Sequence, residues 1–189
     1  LMKYKTSTNY MMPEGPPEWN LMKNLHPKPG DDFPEEVQAK IDAYLESMDL
    51  PEAMAPMVQQ WTQHVMTQAE DKLTRRIGWF TRAHPYILDD GRMLVGLYSD
   101  GFSFSLVAIT DDSGETWSFS DPIVGGGNIQ PSFAQKKDGT IVTFMRDNGP
   151  PPKRVLVSES KDRGETWSTV YDHPVLENPG AGLELMDCA

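Results

Sequence analysis

Four short stretches hold most of the side chains that could do chemistry. Thr81–Pro85, TRAHP, places Arg82 two residues before His84; Leu97–Asp100, LYSD, offers Tyr98 and Asp100; Asn128–Pro131, NIQP, offers Asn128 and Gln130; Met145–Asn148, MRDN, offers Arg146, Asp147 and Asn148. Arg82 and Arg146 carry planar, multi-donor cations that can hold a polar ligand. Asp100, His84 and Tyr98 can donate or remove protons. Gln130, Asn128 and Asn148, with Asn178 further on, are candidates for holding a polar ligand. Plainer roles compete: a His before a proline also serves to hydrogen-bond a neighbouring strand, Tyr98 can be rim packing, and Asp147 can orient Arg146 as an ion-pair partner, since exposed pairs contribute little to stability.

A repeat positions these stretches. Thr110–Trp117, TDDSGETW, and Ser160–Trp167, SKDRGETW, share the pattern [Ser/Thr]-x-Asp-x-Gly-x-Thr-Trp. A carboxylate and a hydroxyl two residues apart can bond the backbone of a tight turn, Gly supplies an angle that a side chain would forbid, and Trp anchors the turn in the core. Thr110, Asp112, Gly114, Thr116 and Trp117, and likewise Ser160, Asp162, Gly164, Thr166 and Trp167, are therefore structural.

Around each turn the pattern predicts four short strands. The first set is His84–Leu88, Met93–Tyr98, Ser105–Ile109 and Trp117–Val124, with an Asp90-Gly91 hairpin; the second is Gln130–Ala134, Thr140–Met145, Arg154–Ser158 and Trp167–Tyr171, with an Asp138-Gly139 hairpin. Pro85 and Pro131 align, and a third copy begins over Asn178–Met186. Up-and-down connectivity puts the Asp-Gly turns on the face of the repeat turns. The opposite face then receives the starts of first strands and the ends of second strands, which is where Arg82, His84, Tyr98, Asp100, Asn128, Gln130, Arg146 and Asn148 fall. A purely structural rim would tolerate Ser, Lys and Gly freely, so this concentration of Arg, His, Tyr and amides points to binding. Gly125-Gly126-Gly127 precedes no helix and reads as a flexible connector that lets Asn128 approach the channel.

Before these strands the period changes. Val37, Ile41, Tyr44 and Met48, then Met54, Val58, Trp61, Val65 and Leu73, recur at helical spacing, predicting two amphipathic helices that pack on the side of the β-structure. The division is 1–30, the end of an earlier unit and a loop held down by Trp19; 31–76, a helical insertion; 77–124 and 125–171, two four-stranded units; and 172–189, the start of another.

The repeat turn resembles the Asp box, or bacterial neuraminidase repeat, of the sialidase-like β-propellers. The run R-x-x-P, a Gly-Arg turn, NIQPS, a strand ending in Arg-Asp, and N-P-G-A-G is similar to sialidase family proteins over about residues 77–186. The implied fold is all-β: a partial sialidase-like β-propeller of four-stranded antiparallel blades with an α-helical insertion. Propellers close with roughly 4–8 blades, and each repeat here takes 50 residues, so the chain is expected to be a piece cut at both ends, completed by further blades or by another copy.

The resemblance implies three arginines holding a substrate carboxylate, an Asp as acid/base and a Tyr activated by Glu as nucleophile. Arg82 and Arg146 match two of the arginines, and Asp100 matches the acid/base by position. The third arginine and the Tyr/Glu pair would belong to later blades. His84, close to Arg82 and opposite Tyr98, departs from that pattern and suits lyases of uronic-acid polysaccharides, in which His or Tyr moves protons beside a neutralised carboxylate.

A net charge of -11 argues against nucleic acid or an anionic membrane surface as main partner. One Cys excludes a disulfide framework. No spacing suggests a metal site or cofactor, and no apolar run suggests membrane insertion. The reading is an exo-sialidase-type glycoside hydrolase on an anionic oligosaccharide or glycoconjugate, secreted or periplasmic. Its rivals are a uronate-directed glycosidase or lyase, and a non-catalytic propeller that binds glycan or protein.

Overall fold

Hydrogen bonds that close within eight residues fix the two repeat turns, and the sheets hang from them. The computed structural model describes residues 2–19 and 21–186; Cys188 and Ala189, at the end of the expected third copy, lie outside them. In the first turn Asp112 accepts from the Thr116 amide at 2.8 Å and its hydroxyl at 2.6 Å, while Thr110 donates to Asp112 at 2.8 Å and accepts the Gly114 amide at 2.9 Å. Asp162, Thr166, Ser160 and Gly164 repeat this, and Gly114 and Gly164 have φ of 93° and 91°. The two tryptophans differ. Trp167 is buried, donating to Gly164 O and lying 5.6 Å from the Phe133 ring, whereas Trp117 is half-buried against Tyr4, edge to face at 5.6 Å.

Tyr4 belongs to a hairpin of β1 (Met2–Thr6) and β2 (Leu21–Leu25), paired antiparallel. It docks on the first turn through Tyr4 to Gly114 O and Lys23 to Glu115. The expected role of Trp19 is corrected. Trp19 is exposed, and Asn9 holds the hairpin loop by accepting from the Glu18 amide at 2.8 Å.

The two expected helices are α1 (Phe33–Glu46) and α2 (Ala55–Glu70). Phe33, Val37 and Ile41, with Val65 and Ala69, pack on Trp79, Leu97, Phe102 and Phe104. Met48 and Leu73, expected in the same stripe, are exposed. Lys40 ties α1 to the sheets through Asp121 at 2.6 Å. Burial pushes the Asp121 carboxyl up, against the Lys40 bond.

In the first blade β3 (Trp79–Phe80) and β4 (Tyr86–Ile87) both pair with β5 (Met93–Ser99), followed by β6 (Phe104–Thr110) and β7 (Ser118–Phe119). Phe80 faces Tyr98 and Tyr86 faces Leu94, so residues 81–85 stand opposite residues 95–97 and the TRAHP segment loops out. The expected first strand, His84–Leu88, is thus cut to Tyr86–Ile87, since Pro85 has no amide to give the ladder, and Trp79–Phe80 pairs with β5 beyond the loop. The second blade is β8 (Asn128–Gln135), β9 (Ile141–Asp147), β10 (Arg154–Ser160) and β11 (Tyr171–Glu177). Here too the inner strand shifts register, between Ile129 and Ser132, with Gln130 at φ 58°.

The expected fourth strands move. β7 is two residues plus a bridge between Ser105 and Ile123, and β11 starts where its strand was expected to end. Residues 167–170 instead bury Trp167 and Val170. Their backbone is served by side chains, with the Ser158 hydroxyl donating to Ser168 O at 2.7 Å and the Ser168 hydroxyl accepting the Glu159 amide at 3.0 Å. No strand runs through residues 178–186.

The blades face one another through Leu94, Val107 and Ile109 on one side and Phe133, Ile141 and Met145 on the other. The Asp-Gly turns share the face of the repeat turns. Arg92, just past the first of them, takes Asp111 by both oxygens at 2.7 and 2.8 Å and reaches Glu165 of the other repeat at 3.0 Å.

On this face the Thr116 hydroxyl and amide, then the Thr110 hydroxyl, hold the Asp112 carboxyl at about 2 against an ordinary 3.8. A folded-state pKa below the unfolded value gives stability that is present above the unfolded value and lost as pH falls through the folded one. The urea midpoint is expected to fall between pH 3.8 and about 2, and Asp112→Asn should flatten that slope while lowering the midpoint at neutral pH. An unchanged slope in the variant would show that other carboxylates govern acid unfolding.

Candidate functional site

The looped TRAHP segment, the bulge at Gln130 and the irregular chain after β11 meet at the end of the sheets opposite the repeat turns. Asn178 turns that chain back: its side-chain Oδ1 accepts the Gly180 and Ala181 amides at 2.9 and 3.1 Å and its Nδ2 donates to Ala181 O at 2.8 Å. Its role is a turn. The chain then passes Arg82 and Gln130 at Gly182, where a Cβ would come within 2.7 Å of Arg82 Nε and 2.9 Å of Gln130 Oε1. A larger residue there would have to push those two side chains aside.

Two residues later Glu184 reaches the same cluster. The His84 amide donates to Glu184 Oε1 at 3.1 Å and the His84 imidazole Nδ1 meets the same oxygen. Arg82 donates to Leu183 O at 2.7 Å and lies 3.4 Å from Glu184 Oε2. Bonds from the His84 amide and ring, then the charge of Arg82, hold the Glu184 carboxyl below its ordinary range. A carboxylate on one imidazole nitrogen fixes the ring and leaves the other free to move a proton. Glu184 is not among the residues the sequence pattern singles out, since 178–186 is expected only to begin a third copy; its one local signal is a carboxylate just past NPGAG.

Arg146 is the other cation of this end. It is half-buried on β9 opposite Ile129, its Nε is buried without an acceptor, and its guanidinium forms no ion pair among the described residues. The expected partner, Asp147, is committed elsewhere. It is 2% exposed, accepts the Gly149 amide at 2.7 Å and the Arg154 amide at 3.2 Å, and lies 3.6 Å from Lys153 Nζ. It braces the 147–154 hairpin, and Arg146 remains uncommitted.

Asn128 is corrected from ligand contact to core. It is fully buried, donating to Ile123 O at 2.7 Å and to Met145 Sδ at 3.4 Å, while its own carbonyl accepts the Ser105 hydroxyl at 2.7 Å. It joins the blades and has no face toward solvent. Gly125-Gly126-Gly127 is likewise no flexible connector. A Cβ on Gly125 would meet Val170 and Asn128 at 2.8 Å, and one on Gly127 would meet Gly149 N at 2.4 Å. The glycines are there because backbone passes against backbone.

Tyr98 is half-buried with its ring 5.9 Å from Phe80, Asp100 is exposed in the turn after β5, and Asn148 is exposed with its amide donating to Gly127 O at 2.8 Å. These three and Arg146 stand at strand ends of the site face without bonding to the Arg82–His84–Gln130–Glu184 cluster. Among the described residues no three His, Cys, Asp or Glu converge as metal ligands, and no helix is long and apolar enough to cross a membrane. The arrangement offers one open guanidinium, one guanidinium shared with a carboxylate, and an imidazole oriented by that carboxylate: groups for an anionic ligand and for proton transfer.

Comparison with known proteins identifies the family. Residues 39–188 match the model of the BNR repeat-like domain. Anhydrosialidase of Macrobdella decora is 32% identical over 80 residues, 41% of this chain and 10% of that protein. A GH43 β-1,3-galactosidase solved with galactodeoxynojirimycin aligns with a TM-score of 0.51 at 17% identity, over 86% of this chain and 46% of its own. A sialidase from Streptococcus pneumoniae aligns at 0.48 and 23% identity, over 59% and 17%. The chain spans about a tenth of the curated relative and under half of either structure.

Proposed function

This chain belongs to the BNR repeat-like, sialidase-like propeller family, and from that premise we propose that the protein is a glycoside hydrolase of anionic glycans, exo-sialidase in type. The observation that carries the reading is Arg146, a half-buried guanidinium with an orphaned Nε and no acidic partner among the described residues. A carboxylate arriving in bidentate geometry completes such a group. Arg82, whose carboxylate partner Glu184 is shared with His84, supplies a second positive charge at the same end. Gln130 and Asn148 are the neutral polar contacts, and Asp100 is the proton donor.

The His84–Glu184 pair favours a second reading, a lyase acting on uronates. There the oriented imidazole removes the proton beside the neutralised carboxylate. The two readings separate in one assay of the full-length protein against a fluorogenic sialoside and a panel of uronate polysaccharides. Sialic acid release, with His84→Ala within about 10-fold of wild type, supports the hydrolase. Unsaturated uronate products, lost by about 100-fold or more in His84→Ala, support the lyase, since a proton-transfer group contributes about that much. Turnover of neither would make the site a glycan- or protein-binding surface.

A further inference from the structure

A cleft of about 400 Å³ lies between the helical insertion and the 147–154 hairpin. Met54, Met57 and Trp61 line one wall, and Pro151, Pro152 and Leu156 the other. Trp61 is shared, packing partly against the core that Val37, Ile41 and Val65 fill, but Met57 is 54% exposed. Cavities of roughly 300–1,000 Å³ with apolar walls and few polar groups are the usual form of a small-molecule site, and Met walls adapt to ligands of irregular shape.

The polar groups define what fits. Tyr44 is engaged with the Gly126 backbone, and Asp147 is used up by the hairpin amides. Asp172 is partly buried near Asp147, and burial, then that neighbouring charge, pushes its carboxyl up. Two acids at the wall disfavour an anion inside, and the lining is mostly apolar, with the Ser103 hydroxyl and the Trp61 indole N–H as its isolated donors. Such walls suit an apolar, uncharged group.

The cleft also adjoins the polar site. Asp147 and Gly149 belong to its wall; Asn148 lies between them in the chain, and Arg146, the next residue back, turns to the other side of β9 at the same strand end. A Cβ on Gly180 would lie 3.7 Å from Asp147 O, and Gly182 sits against Arg82 and Gln130. Two residues, spanning at most about 7 Å, therefore join cleft and cluster.

We propose that this cleft receives the apolar aglycone, an alkyl or aryl group, of the glycoconjugate whose anionic sugar is held by the arginine rim. The inference rests on the glycoside reading of that rim. Calorimetry of the full-length protein with the methyl and n-octyl thioglycosides of sialic acid tests it. The octyl compound is expected to bind about 10-fold more tightly, from the apolar area it buries. Met57→Glu should remove that preference without changing affinity for the methyl compound, and Met57→Leu should keep it. Equal affinities, or a preference that survives Met57→Glu, would overturn the proposal. n-Octyl glucoside, a neutral probe, separates the two readings. If it binds in a Met57-dependent way while neither sialoside binds, the cleft stands as an alkyl site and the sialic acid reading of the rim fails.

Discussion

Arg146→Ala in the full-length protein is expected to lower kcat/KM toward its anionic glycoside by about 100-fold or more, with little change in stability. Removing one partner of a desolvated charge pair leaves the other uncompensated, at a cost of about 3–5 kcal/mol, and each 1.36 kcal/mol is roughly tenfold in rate. Folding should hardly notice, because the guanidinium has no ion pair among the described residues and its Nε has no acceptor to lose. Arg146→Lys keeps the charge and loses the fork, so an intermediate defect is expected. Arg82→Ala is less clean, since it also releases Leu183 and Glu184. Steady-state kinetics beside a urea titration decides the matter: an active Arg146→Ala enzyme with unchanged KM would remove Arg146 from the site.

Gly127→Ala is expected to destabilise the fold by about 3 kcal/mol or more, among the large effects for a single substitution. Gly127 has φ 105° and is buried, and a Cβ there would stand 2.4 Å from Gly149 N and 2.8 Å from the Asn148 carbonyl carbon. Both neighbours are backbone, so relief requires the 147–154 hairpin to move, carrying Asp147 and Arg146 with it. Gly139→Ala is the control. It has φ 87° but nothing within 4 Å of its Cβ position, so only the backbone cost of about 1–2 kcal/mol applies. Urea midpoints of the two variants should differ accordingly; equal midpoints would mean that the connector yields and the glycines serve flexibility after all.

Both predictions depend on contacts that the sequence displayed only in part. Arg146 was legible as a candidate because a strand ending in Arg-Asp falls on the predicted site face. Its lack of a partner was not, because Asp147, adjacent in sequence, alternates to the other side of β9 and is claimed by amides two and seven residues away. Asn128 looked like a ligand contact for the same reason of position, yet its amide faces Ile123 and Met145 in the core. Pro85 and Pro131 aligned in sequence, but the consequence, an inner strand opened at the same place in both blades, appeared only when each strand was registered against its neighbour.

What the sequence determined by itself are the features closed by short-range bonds and periodic burial. The repeat turns follow from Asp112–Thr116 and Asp162–Thr166, whose hydrogen bonds span four residues; the helices follow from the spacing of Val37, Ile41 and Val65; and the antiparallel order follows from turns whose chemistry is local. The tertiary structure decided the site. Glu184 meets His84 and Arg82 from 100 and 102 residues away, Trp117 turns to Tyr4 across 113, and Gly127 abuts Gly149 through backbone alone. Contacts of that range depend on how two blades and a helical insertion pack, and no local pattern of residue types encodes them.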